Sequence, residues 1–243
     1  MRGKKSKSML PLRVEPKPKT FPLVTLLLIA SNFAVFFHEL SLGPAATQFV
    51  EMFALVPRHF WRSLGVFFAH PFSYDQWSGG FSPLLTSIFL HGGWLHILGN
   101  MLTLWVFGDP IEARMGHLRF FIFYFLTGAI AGIGHCFFEA SSMIPCVGAS
   151  GAIAGLLGAC LWLIPRASVV TLVPFFVMFR ISRMPAFLFL FLWFVGQVLL
   201  AHLDRLGATG GANIAVWAHI VGFVAGLSLV FFFTRKKAKS ARR

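Results

Sequence analysis

Residues 148–165 read GASGAIAGLLGACLWLIP, and this stretch decides how the chain is built. It is apolar throughout, yet Ser150 to Pro165 is only 16 residues. As a helix it covers about 24 Å, against about 30 Å of bilayer hydrocarbon. A span this short cannot reach both surfaces. With Arg166 marking its cytoplasmic end, Ser150 lies about 6 Å or more below the outer surface. The backbone descending to it is tolerated at that depth only inside protein or beside a water-filled cavity. Ser150, Gly151, Ala154 and Gly158 fall within about 100° of one another, so this helix also presents a narrow face.

The rest of the composition agrees with a membrane setting. Of 243 residues 57% are hydrophobic and 12% charged, which excludes a water-soluble globular enzyme, since such domains run near a quarter charged. The formal charge is +13, but seven of the 21 Lys and Arg lie in 1–20 and six in 235–243, with eight Arg and no Lys between. Charge confined to two tails suits the anionic cytoplasmic leaflet and not a nucleic acid. The lipid bilayer is therefore a partner and nucleic acid is not. The basic start precedes an apolar stretch from Phe21 that is long enough to span and has no small-residue cleavage pattern, so it reads as a transmembrane helix and not a signal peptide. Cys136, Cys146 and Cys160 cannot all pair and read as small buried residues.

Six segments qualify as spans: Phe21–His38, Gly92–Gly108, Leu118–Phe138, Ser150–Pro165, Met184–His202 and Ala212–Thr234. The expected fold is an all-α polytopic bundle of six transmembrane helices occupying 21–234, between a basic N-terminal tail, 1–20, and a basic C-terminal tail, 235–243. Basic residues favour cytoplasmic connections, which puts both termini inside. Glu39 to His91 forms a long outer connection, read as a partly helical element at the interface. Val169–Met178 is too short to count as a further span, and no internal repeat is found.

Strongly polar side chains inside a span are costly and mark function. His96 and Asn100 stand one turn apart on one face of the second span, while His91 lies about 140° from His96, so the two histidines play different parts. In the sixth span His219 shares a face with Gly222 and Gly226, which permits close helix approach toward the narrow face of Ser150. With both tails inside, His96, Asn100, Ser150 and His219 all fall in the outer third of the membrane. A serine, a histidine able to take its proton and further donors are the parts of acyl-transfer chemistry. No acidic residue lies in the spans at that depth, so a Ser-His dyad is the reading left.

These residues resemble the rhomboid intramembrane serine proteases in their six-helix prokaryotic form. The likeness runs from about Leu85 to Gly226 and rests on His91-Gly92-Gly93-Trp94-Leu95-His96 with Asn100, Gly148-Ala149-Ser150-Gly151, and Ala218-His219 with Gly222 and Gly226. Lesser matches are Phe107-Gly108 with Glu112 and Gly116, Tyr124, and Trp193 with Gln197. The resemblance implies Ser150 as nucleophile and His219 as general base. It implies an oxyanion site from His96, Asn100 and the Ser150 N–H, a structural role for His91 and a structural hydrogen-bonding role for Glu112. It further implies a bacterial inner-membrane serine endopeptidase without cofactor or metal, its site near the outer face. The implied substrates are single-span membrane proteins, and no oligomeric state follows. Two positions depart from the family: Ala154 stands where an aromatic often packs on the histidine, and Ser82-Pro83 precedes Thr86-Ser87 where a Trp-Arg pair is common.

Rival readings have less to stand on. His91 and His96 are five apart with no carboxylate near, which does not suit a zinc site. A channel would need polar residues along a whole path. A non-catalytic rhomboid-like binder of membrane proteins would usually lack the serine or the histidine, and this chain has both.

Overall fold

Apolar runs that satisfy their backbone polar groups internally must be helical in hydrocarbon, and helices dominate the chain. The computed structural model describes residues 10–69, 80–175, 178–206 and 215–234. In order these form β1 (Leu10–Glu15), α1 (Leu23–Ser41), α2 (Ala46–Phe53), α3 (Pro57–Ala69), α4 (Pro83–Thr86), α5 (Trp94–Met115), α6 (His117–Phe138), α7 (Ser150–Leu163), β2 (Ser168–Phe175), β3 (Met178–Pro185), α8 (Ala186–Arg205) and α9 (Val216–Phe233). Residues 1–9 and 235–243, which hold most of the two basic tails, and 212–214 of the expected sixth span lie outside the described residues.

Among the described residues four helices, α1, α6, α8 and α9, are long and apolar enough to cross a membrane. The other two expected spans differ from that pattern for separate reasons. Helix α7 is apolar but only 14 residues long. Helix α5 has 22 residues and runs past Gly108, where hydropathy ends the expected span, through Asp109, Pro110, Glu112 and Arg114. It continues because that polar turn is inside the protein, with Asp109 and Glu112 only 7% and 1% exposed. Residues Gly151 to Cys160 of α7 are all buried, so this helix runs through the centre of the bundle.

The expectation of an all-α chain needs correction. A three-stranded antiparallel sheet, in the order β1-β2-β3, pairs Leu10 with Leu172, Glu15 with Ser168, and Ser168 with Pro185. Val169, Val170, Thr171 and Val173 are β-branched and favour a pleated surface. The segment is too short for a span and forms a hairpin instead. Its third strand comes from the far N-terminal part of the chain, so local patterning could not reveal the sheet. From Leu10 on, the expected N-terminal tail is therefore partly ordered: Val14 is buried, and Glu15 pairs with both Arg13 and Arg183. The Arg13 guanidinium bonded to Glu15 holds its carboxyl below the usual range.

The sheet lies at one end of the bundle, together with the start of α1, the α5–α6 turn and the end of α7. There Arg114 donates to the Leu163 carbonyl at 3.1 Å. The first turn of α1 has no side-chain cap of its own. Glu112 supplies one, accepting from the Val24 N–H at 2.9 Å, the Thr25 N–H at 2.8 Å and the Thr25 hydroxyl at 2.6 Å, while His117 donates to it at 2.5 Å. At the other end the connection after α1 is tied to the loop before α7. Leu55 and Cys146 exchange backbone bonds at 3.1 and 2.8 Å, and the Trp61 indole donates to the Cys136 carbonyl at 2.7 Å.

Replacing Glu112 with Ala leaves two N–H groups and a hydroxyl without their acceptor, so unfolding free energy should fall by about 2–4 kcal/mol. Thermal unfolding in detergent micelles would read this as a lower midpoint, with Glu112→Gln intermediate.

Candidate active site

The site is built around the start of α7. Its N-cap is Ala149, which offers no capping side chain, so the first amides of the helix, that of Ser150 among them, have no intrahelical acceptor. The approach to this turn passes through Gly148 at φ +115°, a conformation that favours glycine. Its N–H donates to the Ser87 carbonyl at 2.8 Å, which anchors the turn to the segment between α4 and α5.

Gly148 is also where α5 comes closest. A methyl group there would sit 2.7 Å from His96 Nε2 and 3.4 Å from Asn100 Nδ2, so both side chains aim at the turn that leads into Ser150. His96 Nδ1 accepts the Gly92 N–H at 3.4 Å, which leaves Nε2 as the protonated nitrogen, a donor. Asn100 is 8% exposed and, among the described residues, its Nδ2 has no acceptor. His91 stands apart: its Nδ1 lies 3.2 Å from the Phe89 carbonyl, and its ring meets His96 edge-on at 5.1 Å.

Helix α9 brings His219 to the same turn. The Ser150 hydroxyl and His219 Nε2 are 2.8 Å apart, and His219 Nδ1 lies 2.8 Å from Gln197 Oε1 on α8. The approach is possible because α7 and α9 meet backbone to backbone. A methyl on Gly222 would overlap the Gly151 carbonyl oxygen, and one on Gly226 the Gly155 carbonyl oxygen. Gly151 itself faces Ala131 and Ala218. Ala154 is fully buried but too small to hold the imidazole, and the ring of Trp193 has its centroid 6.1 Å from it.

Ser150, His219, His96 and Asn100 line one cavity of about 980 Å³, which Gln197 and His135 also face. The sequence reading singles out the first four of these. Gln197 follows only from a lesser family match and His135 from no sequence signal used above; among the described residues the buried His135 Nδ1 has no partner. For both, the available signal was a polar side chain inside an apolar span; Gln197 also follows Trp193 by four residues, on one helix face. Glu112 is at the opposite end of the bundle, and Gly222 and Gly226 lie in the helix interface. Cys146 lines the cavity too, but burial pushes its thiol up to about 12, which keeps it protonated and poorly nucleophilic. Among the described residues no group of three metal-ligating side chains occurs.

Comparison with known proteins matches residues 77–236 to the Rhomboid domain. A protein described as "Putative rhomboid protease YdcA", from Bacillus subtilis (strain 168), is 31% identical over 169 residues, 67% of this chain and 72% of that one. Rhomboid protease GlpG of Serratia proteamaculans (strain 568) is 31% identical over 152 residues, 62% of this chain and 47% of its own length. Rhomboid protease GluP of Bacillus subtilis (strain 168) is 43% identical over 79 residues, 32% of this chain but 15% of that one. The chain thus spans about half of the GlpG relative and a small part of GluP. It belongs to the rhomboid family and is an integral membrane protein.

Because a side chain at position 226 would strike the α7 backbone, Gly226→Leu should force α7 and α9 apart. Labelling of Ser150 by a fluorophosphonate should then be lost. Substitution of the exposed Phe232 by Leu on the same helix should leave labelling unchanged.

Proposed function

We propose that this protein is an intramembrane serine endopeptidase that cleaves single-span membrane proteins through a Ser150–His219 dyad. The observation that carries the reading is the 2.8 Å contact between Ser150 Oγ and His219 Nε2 beside two side-chain donors on one cavity. In the proposed reaction the Ser150 oxygen attacks the scissile carbonyl as its proton passes to His219 Nε2. Charge that develops on the carbonyl oxygen is met by His96 Nε2–H, the Asn100 amide and the Ser150 N–H, with the positive end of the α7 dipole behind them. His219 then protonates the leaving amine, and a water activated by the same nitrogen hydrolyses the acyl-enzyme. His91 supports His96 from behind, Gly148 and Gly151 shape the turn, Gly222 and Gly226 set the helix approach, and Glu112 is structural.

The membrane arrangement is proposed with it. Six helices, α1 and α5 to α9, cross a bacterial inner membrane within 21–234, with both termini cytoplasmic and the site near the outer face. Its support is that β1, the start of α1, the α5–α6 turn and the α7–α8 hairpin share one end, while the dyad lies toward the other. A nucleophile below the surface is reached by an extended peptide and not by a helical one, whose carbonyls are already bonded. Substrates should therefore carry helix-destabilising residues near the outer end of their span, and small ones at the cut. Each backbone group freed by unwinding costs several kcal/mol in hydrocarbon, which the polar cavity offsets. The retained serine and histidine, in contact, weigh against a non-catalytic binder.

Reconstituted Ser150→Ala should keep the wild-type melting midpoint and lose cleavage of a single-span substrate; cleavage at the wild-type rate would sink the proposal. Asn100→Ala should lower kcat by about 10²–10³-fold with little change in KM, because its donor is engaged only as charge develops. A change confined to KM would move Asn100 to substrate binding.

A further inference from the structure

A neutral imidazole exchanges its proton between two nitrogens, and only the form with Nδ1 protonated and Nε2 free can accept from a serine. In soluble serine proteases a buried carboxylate fixes that form. Here the residue within hydrogen-bond distance of His219 Nδ1 is an amide, Gln197 Oε1, at 2.8 Å. The side chain one turn after Ser150, at Ala154, is a methyl group with no ring to lay on the imidazole.

We infer that Gln197 is the positioning residue of the proposed dyad, holding His219 in the tautomer and orientation that let Nε2 take the Ser150 proton. Three observations on the molecule carry it. The two bonds of the imidazole, Nδ1 to Gln197 and Nε2 to Ser150, are both 2.8 Å and use both ring nitrogens. Gln197 faces the same cavity as Ser150, so its amide has no need to be in the span except for a partner there. Trp193, four residues earlier on the same face of α8, has its ring centroid 6.1 Å from the imidazole and 6.0 Å from that of Phe223, so α8 brings a ring as well as an amide beside His219.

In this arrangement Gln197 touches neither substrate nor the reacting atoms. Its loss should act on the chemical step and leave substrate binding alone. The inference rests on the dyad proposed above, so the experiment measures the two separately. Gln197→Met keeps the length and bulk of the side chain and removes the acceptor; Gln197→Glu keeps an acceptor at the same position; Ser150→Ala reports on the dyad itself.

For Gln197→Met the expected result in proteoliposomes is a kcat lower by roughly 10- to 100-fold, with KM within about twofold. Fluorophosphonate labelling should slow in parallel at an unchanged melting midpoint. Gln197→Glu should recover most of the lost kcat. If Gln197→Met does not fold, Gln197→Ala carries the same expectation without added bulk. Wild-type kcat in the Met or Ala variant overturns the inference. So does a Glu variant that loses as much as Met, since that would make the position one of packing only. Cleavage by Ser150→Ala would instead overturn the dyad, whatever the Gln197 variants do.

Discussion

The structure depends on one close contact. Helices α7 and α9 pack with glycine against backbone, so near that carbonyl oxygens of α7 occupy the space where side chains at Gly222 and Gly226 would stand. In hydrocarbon there is no hydrophobic gain in bringing two helices together, and van der Waals packing of small faces has to do it. Here that packing also fixes the separation of two side chains, Ser150 at the start of one helix and His219 near the start of the other. A bond of 2.8 Å between them follows from the spacing of the two backbones.

The second constraint is the shortness of α7. A helix of 14 residues ends inside the protein, and the loop before it has to be supplied with partners. The connection between α1 and α5 gives them, through the Leu55–Cys146 bridge and the bond from Gly148 to Ser87. At this loop His96 Nε2 and Asn100 Nδ2 both approach Gly148, and among the described residues Asn100 Nδ2 has no acceptor. A buried donor without an acceptor is expensive, which fits the oxyanion role proposed for Asn100. The opposite end of the bundle is closed as tightly as this end is open, since every N–H that Glu112 captures is one that α1 would otherwise leave bare.

What the sequence by itself determined was periodic or compositional. The sparseness of charge between the tails, the length of the apolar runs and the faces on which His96 and Asn100, or His219 and its glycines, fall can be read without reference to any second segment. They could be read from residue numbers because the helical repeat is fixed. The shortness of the Ser150 segment was legible in the same way. Hydropathy ended the second span at Gly108 because it registers Asp109 and Glu112 as polar and cannot register that both are buried.

Only the tertiary structure decided what depends on two distant segments. The β1-β2-β3 sheet joins residues 10–15 to 168–185, and no local signal links them. The partner of His219 on its second nitrogen was open in the sequence, because a glutamine in a span has many possible neighbours. The structure puts Gln197 there, and it does so through the packing of α8 on α9. Likewise the presence of His96, Asn100, Ser150 and His219 around one cavity depends on the placement of three helices at once. Periodicity fixes which way a side chain faces along its own helix; which helix it meets there is set by packing among all of them.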